Sequence, residues 1–337
     1  MKSIFKKTCY VLVPLLVGVL IFYFWGSSGS LSQKELNQVR EWSCHKEAPR
    51  DTFSVMTYNI GYLSGMTNNL AVDRTVELFD GNQKKAIKLL SALVPDIVGI
   101  QEIDYGAERS FDAQQLDSLA LGASYKYAVQ AVNWDKNYVP FPYWPPSKHF
   151  GHMLSGQAIL SRFEPSLAER KELIQPVNAP FYYKAFYLER LVQISKIDLG
   201  APVIVINVHL EAFDQETREN QAETLLHLTR EYAKEYPVIL MGDFNAAPPY
   251  AQNPDYKEET IAMFLQDPLL GSAITKEQYS SNPQAHFTYS SGAPEVMIDY
   301  IFYTKENLEL LDARVVTEAE EISDHLPVIA RFRLKNK

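Results

Sequence analysis

Apolar positions along this chain cluster in short blocks more often than in long helical stripes. The block 238–241, Val-Ile-Leu-Met, is wholly apolar and predicts a buried strand. Residues 53–60 alternate well enough for a strand reaching Asn59, and 96–103 reads as a buried strand carrying Gln101 and Glu102 near its end. Residues 158–161, 191–197, 203–210, 298–303 and 328–334 are further strand candidates. Two stretches switch to helical spacing. In 83–94, Ala86, Ile87, Leu90 and Leu93 fall on one face and Pro95 stops the run. In 215–236, Leu225, Leu226, Tyr232 and Ala233 turn inward. Strands that dominate, broken by helices at irregular intervals, suit a two-sheet sandwich with flanking helices better than a regular βαβ repeat.

The start of the chain is different material. Lys2, Lys6 and Lys7 precede an apolar run over 9–25 that holds no acidic residue. A cationic flank before a hydrophobic segment of spanning length keeps the lysines cytoplasmic and exports the rest of the chain. Two outcomes fit. The segment stays as a single-pass anchor, with Phe22, Tyr23, Phe24 and Trp25 as an interfacial belt, or it is a signal peptide cut within the small residues 26–30. The domain then exported is membrane-anchored in the first case and secreted in the second. Residues 1–26 are thus read as anchor or signal segment, 27–50 as a polar, partly helical linker, and 51–337 as the catalytic domain.

Composition adds limits. With 337 residues, 46% hydrophobic and 22% charged, the chain can bury a sizeable core. Beyond the first 25 residues, 29 basic residues stand against 41 acidic ones, a net charge of about −12. Nucleic-acid binders draw most of their affinity from neutralising phosphates with lysine and arginine, so this balance disfavours a nucleic-acid partner. Past the hydrophobic run only Cys44 remains, so the exported fold has no intrachain disulfide to rely on. A monomer is expected.

The polar residues that end the apolar blocks carry the chemistry. Gly242–Asp243–Phe244–Asn245 comes directly after the block 238–241, and Ser323–Asp324–His325–Leu326–Pro327 precedes the last strand. With Met56–Ile60 (MTYNI), Ile100–Ile103 (IQEI), Val208–Ala212 (VHLEA) and Ile298–Tyr303 (IDYIFY) they make six motifs in order. In these the chain, from about residue 51 onward, resembles the endonuclease/exonuclease/phosphatase superfamily of metal-dependent phosphoesterases. The resemblance implies a four-layer α/β/β/α sandwich of two mixed sheets, preceded here by the N-terminal hydrophobic helix, with the site at one edge of the paired sheets.

Phosphodiester hydrolysis needs water deprotonated and aimed in line with the leaving group, and charge on the phosphoryl oxygens stabilised. By resemblance Glu102 is the principal metal ligand, Asn59 helps position the metal shell, and Asp324 is the second carboxylate near the metal. Mg²⁺ is the expected ion, with Mn²⁺ and Ca²⁺ left open. His325 is the general base, since an unperturbed histidine titrates near ~6.5 and accepts a proton at neutral pH. Asp299 interrupts an apolar strand, a costly place for an unpaired charge, and by resemblance it fixes the His325 tautomer. By the same resemblance Asp243 orients water or protonates the leaving group, Asn245 binds a phosphate oxygen, and His209 hydrogen-bonds the phosphoryl group. Arg190, at the start of a strand, either faces the phosphate or pairs with a neighbour such as Glu189.

The superfamily does not set the substrate. Residues 208–214, VHLEAFD, resemble the neutral sphingomyelinase branch. The proline- and aromatic-rich stretch 138–152 lies just before the strand candidate 155–162, and an aromatic loop there can dip into a lipid interface or stack on a base. The expected activity is therefore a Mg²⁺-dependent phosphodiesterase acting on a phospholipid headgroup at a membrane surface. The alternative is an exported metal-dependent nuclease.

Overall fold

The computed structural model describes residues 2–44, 47–48, 50–251 and 258–335. Met1 of the expected anchor, residues 45, 46 and 49 of the expected linker, and residues 252–257 and 336–337 of the expected catalytic domain lie outside the described residues. In chain order the strands are β1 (Asn37–Glu41), β2 (Thr52–Asn59), β3 (Ile97–Asp104), β4 (Tyr127–Val139), β5 (Gly151–Ser161), β6 (Pro165–Glu172) and β7 (Leu191–Asp198). They continue as β8 (Pro202–His209), β9 (Val238–Asp243), β10 (Leu270–Ser272), β11 (Asp299–Thr304), β12 (Leu308–Val315) and β13 (Val328–Leu334). The helices are α1 (Lys2–Ser27), α2 (Val76–Leu93), α3 (Gln115–Gly122), α4 (Phe181–Phe186), α5 (Gln215–Ala233), α6 (Glu259–Gln266) and α7 (Lys276–Ser281).

Two mixed sheets form, in the orders β1-β4-β5-β3-β2-β13-β12 and β10-β11-β9-β8-β7-β6. They stack face to face through β2, β3, β8 and β9, the apolar blocks read from the sequence. Residues such as Val55, Ile97, Ile206 and Leu240 have no exposed surface, and each side chain buried to that extent contributes ~1.5–3 kcal/mol. Helices cover the outside, giving the expected four-layer sandwich. The α2 helix starts at Thr75, whose hydroxyl accepts from the Leu78 N–H, and stops where Val94 turns left-handed before Pro95. Asp214 caps α5 in the same way, through the Thr217 N–H.

The sheet-to-sheet interface is not purely apolar. Gln101 Nε2 donates to Asn207 Oδ1 at 2.6 Å, and Asn207 Nδ2 donates to the Ile100 carbonyl at 3.0 Å and the Ala158 carbonyl at 3.2 Å. Gly99 makes room for this bridge, because a Cβ there would fall 2.7 Å from Met241 Cε and 2.8 Å from Asn207 Oδ1. The amide network pins β3 against β8 one or two residues before both strands reach the site.

The stretch 27–50 departs from the expected partly helical linker. Residues 37–41 pair antiparallel with β4 as an edge strand, and Leu31, Leu36 and Trp42 pack on the core. Edge pairing needs only one buried face, so the sequence NQVRE carries little apolar signal. The α1 helix contains an 18-residue window, Tyr10–Ser27, of mean hydropathy 2.0, long and apolar enough to cross a membrane by length and composition. Its C-terminal turns pack against β4 and α4.

Candidate active site

The site forms where strands of both sheets run out side by side. Register places Asn59 of β2 beside Gln101 of β3, His209 of β8 beside Asp243 of β9, and Asp243 beside Asp299 of β11. Asp324 and His325 come from the turn before β13. The β3 strand bulges between Ile100 and Ile103, and Glu102 holds a left-handed backbone at φ +53°. A bulge re-aims a side chain that alternation would otherwise have sent elsewhere, and a non-glycine residue in that conformation is strained. Asn245 is held likewise at φ +51°, with its backbone N–H on Asp243 Oδ1 at 2.9 Å.

Glu102, Asp324, His325, Asp243, Asn245, His209 and Arg190 line one cavity of about 630 Å³. Asn59 and Asp299 stand behind its wall, each almost fully buried.

The His325 group is organised by carboxylates. Its Nδ1 lies 3.0 Å from Asp299 Oδ2, which sets the tautomer with Nδ1–H donating. Nε2 then faces Asp243 Oδ2 at 3.8 Å. Burial would lower the His325 pKa, but Asp299 and Asp243 outweigh it and hold the imidazole well above the usual histidine range. An unperturbed value was expected for this histidine, and two buried carboxylates are the reason it departs. Burial and the neighbouring Asp299 push the Asp243 carboxyl up to about 7, against the pull of His325 and Asn59. Asp243 can therefore carry a proton near neutral pH.

Asn59 reaches this group and not Glu102. Its Nδ2 donates to Asp243 Oδ2 at 2.9 Å, and its Oδ1 accepts from the Gly61 N–H at 3.0 Å. Burial, then Arg190 and His325, lower the His209 pKa well below the usual value. Its contacts at 3.5 Å to Asp243 and 3.8 Å to Glu102 are therefore those of a neutral imidazole, not ion pairs.

A second carboxylate pair faces the cavity. Asn68 Nδ2 donates to Glu102 Oε2 at 2.9 Å and lies 3.3 Å from Asp324 Oδ2. Burial first, and the Asp324 charge second, raise the Glu102 pKa, with His325, Asn68 and Arg109 pulling it down. Two carboxylates that repel across a neutral amide, with oxygen donors throughout, fit a hard divalent cation such as Mg²⁺. Asp243, Asp299 and His325 also bring ligand atoms within 4.8 Å of one another. There the imidazole N–H already satisfies Asp299, so Glu102 and Asp324 are the better donors. No motif marked Asn68, which sits in a polar turn without periodicity.

Arg190 does not pair with Glu189, which instead binds Arg170. Arg190 Nε lies 3.5 Å from Glu211 Oε2, and Nη2 donates to Tyr187 Oη at 3.0 Å. Its Nε and Nη1 are buried without a hydrogen-bond partner. A buried guanidinium with spare donors on a cavity wall is equipped for an anionic oxygen. Tyr187 and Glu211, which hold it, were not among the residues the sequence marked, although Glu211 lies inside the VHLEA motif.

Among solved structures, an endonuclease/exonuclease/phosphatase from Beutenbergia cavernae DSM 12333 is similar at 21% identity, over 85% of this chain and 72% of that one, with a TM-score of 0.63. The human Nocturnin catalytic domain with bound sulfate is similar at 20% identity, over 91% of this chain and 100% of that one, with a TM-score of 0.57. A mannosyl-6-phosphatase from Bacteroides thetaiotaomicron is similar at 17% identity, over 84% and 100%, with a TM-score of 0.55. At these identities the likeness is one of fold. No curated protein matches by sequence. The family model described as "Endonuclease/Exonuclease/phosphatase family" matches residues 56–325, the span that holds every site residue above and all six motifs except the last two residues of Ser323–Pro327, and on that match the chain belongs to this family of metal-dependent phosphoric ester hydrolases.

Proposed function

We propose that the protein is a Mg²⁺-dependent phosphodiesterase that hydrolyses a phospholipid headgroup, sphingomyelinase-like, at a membrane surface. One observation carries this reading: the hydrolytic site lies in a cavity walled by Phe141, Tyr143, Tyr183, Phe186 and Phe213, and Phe186 packs on the membrane-length helix α1. The VHLEAFD segment supports the choice of branch, and Phe213 of that segment is on the wall.

Glu102 and Asp324 would hold the cation, which when bound neutralises phosphoryl charge and lowers the pKa of water. The remaining steps belong to the protein's own groups. His325, oriented by Asp299, takes the proton of the attacking water through Nε2 in the state where the proton it shares with Asp243, 3.8 Å away, rests on the Asp243 carboxyl. Asp243, with its carboxyl near neutrality, donates a proton to the leaving oxygen. Asn59 holds Asp243 in place through its amide. The neutral His209 and one Asn245 N–H donate to phosphoryl oxygens, Asn245 spending its other interaction on the Leu210 carbonyl at 3.0 Å. Arg190 supplies its free donors to an anionic oxygen.

The competing reading is an exported nuclease. Turnover by the full chain with Mg²⁺ on sphingomyelin, phosphatidylcholine, plasmid DNA and a phosphomonoester, run in parallel, separates them. Hydrolysis confined to the lipids is expected, and cleavage confined to plasmid or monoester overturns the lipid reading.

A further inference from the structure

The apolar surface around the cavity is wider than the 138–152 stretch. Tyr143 (65% exposed), Trp144 (78%), Phe181 (72%), Tyr182 (58%) and Phe213 (81%) turn their rings to solvent. They come from three segments: the β4–β5 connection, α4 and the loop after β8. Tyr143 and Phe213 also line the cavity, and Trp144 and Tyr182 directly adjoin the lining residues Tyr143 and Tyr183 in the chain, which puts this aromatic cluster beside its mouth. Large aromatics grouped on a surface mark an interaction site, since single exposed apolar residues are common but clusters are not.

The same segments are joined to α1. Phe22 stacks on Phe186 at 6.4 Å and meets Tyr138 edge-on at 5.6 Å, and Tyr23 meets Phe181 at 5.9 Å. Trp25 lies 6.3 Å from the Tyr138 ring. Past the helix the chain is held by hydrogen bonds. The Ser30 and Leu31 N–H groups both donate to Asp135 Oδ2 at 2.8 Å, the Asn137 N–H donates to the Ser28 carbonyl, and Asn137 Nδ2 donates to the Trp25 carbonyl. Gly29 fits against Asp135 so closely that a Cβ would fall 2.4 Å from its carboxylate oxygen. A freely tethered domain would need none of these contacts. Behind the rim, Trp134, Val139, Phe150, Met153 and Leu188 form a separate small core that braces the β4–β5 hairpin.

We propose that α1, the β4–β5 connection and α4 form one rigid membrane-binding unit that seats the cavity mouth on the bilayer crossed by α1. The occupant of the aromatic rim is that lipid bilayer. Continuity decides this: the rings touching α1 at its last turns are the neighbours of the rings on the rim, and α1 exposes its apolar side chains along Tyr10–Ser27. Tyr and Trp side chains favour the headgroup level of a membrane, where one end is apolar and the other wet. The helix fixes which surface of the domain faces the lipid, and the rim sets the cavity against it. Substrate therefore reaches the site from the leaflet and not from bulk water. The inference deepens the phospholipid reading above, and it also explains residues 28–31, which form neither helix nor strand yet are clamped to Asp135.

The full chain reconstituted in phosphatidylcholine vesicles tests it, with brominated phosphatidylcholine as a short-range quencher. Trp25 will be quenched in any case, so the Trp144 signal is taken as wild type minus Trp144→Phe. That signal is expected to fall roughly twofold or more in brominated vesicles, because an interfacial ring sits within several ångströms of the acyl chains. An unchanged Trp144 signal overturns the proposal. As a second arm, Trp144→Glu and Tyr182→Glu, neither of which lines the cavity, are assayed on vesicle phospholipid and on soluble bis(4-nitrophenyl) phosphate. Vesicle turnover should fall roughly tenfold or more with the soluble rate retained, since each change places a charge where apolar area was buried. Equal loss on both substrates overturns the membrane role and makes the rings structural. If wild type turns over no phospholipid while Trp144 is quenched, the substrate reading fails and the membrane-seating inference stands.

Discussion

At the scale of single residues, the site holds like charges close together. Glu102 and Asp324 repel across the Asn68 amide, so without metal the folded state disfavours the Glu102 carboxylate. Linkage sets the sign. A carboxyl whose folded pKa is raised binds more protons folded than unfolded, so its effect on stability turns unfavourable as pH rises past its ordinary 4.5. Metal-free protein should therefore lose stability through that window, and Glu102→Gln should blunt the loss. The variant should also melt at least as high as wild type in chelator, yet gain no thermal shift when Mg²⁺ is added, because the stabilisation depends on affinity and the variant lacks the ligand charge. A full Mg²⁺ shift in Glu102→Gln would move the metal away from this pair. His325→Ala should cut turnover ~10²–10⁴-fold with the thermal shift retained. Most of these residues were legible in the sequence because they are polar groups at the ends of apolar runs. Asn68 and Tyr187 were not, since a turn amide and a tyrosine beside a short helix have no pattern to betray them.

At the scale of elements, the central strands were legible and the periphery was not. β2, β3, β8 and β9 are buried on both faces or nearly so and their sequences read as apolar runs, while β13 alternates buried and exposed residues. β4 was missed although it is 13 residues long, because its second half, residues 135–138, projects into the hairpin with half-exposed polar residues. β6 and β12 are edge strands of alternating charge, and α4 is only six residues, too short to show a period. The amides between the sheets were equally hidden, as Gln101 and Asn207 look like interruptions of otherwise apolar strands. They bear on stability directly. Asn207→Leu removes the donors to the Ile100 and Ala158 carbonyls and the acceptor for Gln101. Leaving such groups buried and unpaired costs ~1–3 kcal/mol each, so the urea midpoint should drop well below wild type. A midpoint within error of wild type would show that the network contributes nothing net, the apolar replacement having compensated.

For the molecule as a whole, charge and shape bear on the same question of substrate. Residues beyond the hydrophobic run carry about −12, and near the site Arg218 is already engaged with Glu258 and Arg109 with Asp104, while Arg190 keeps donors enough for a single phosphate. A polyanion needs a cation for each phosphate it neutralises, whereas one lipid phosphate needs the metal and a few donors, which this cavity has. The cavity is also bordered by exposed rings and tied to α1, and on the membrane-seating proposal its mouth faces a bilayer and not a duplex. Turnover should accordingly favour sphingomyelin vesicles over plasmid DNA at matched phosphate and Mg²⁺. Any residual plasmid nicking should fall steeply between low and physiological salt, because it would rest on exposed phosphate–cation contacts that salt screens. Lipid turnover should change little over the same range, since its contacts are a buried metal site and apolar rings. Efficient nicking at physiological salt with no vesicle hydrolysis would assign the protein to the nucleases of its family.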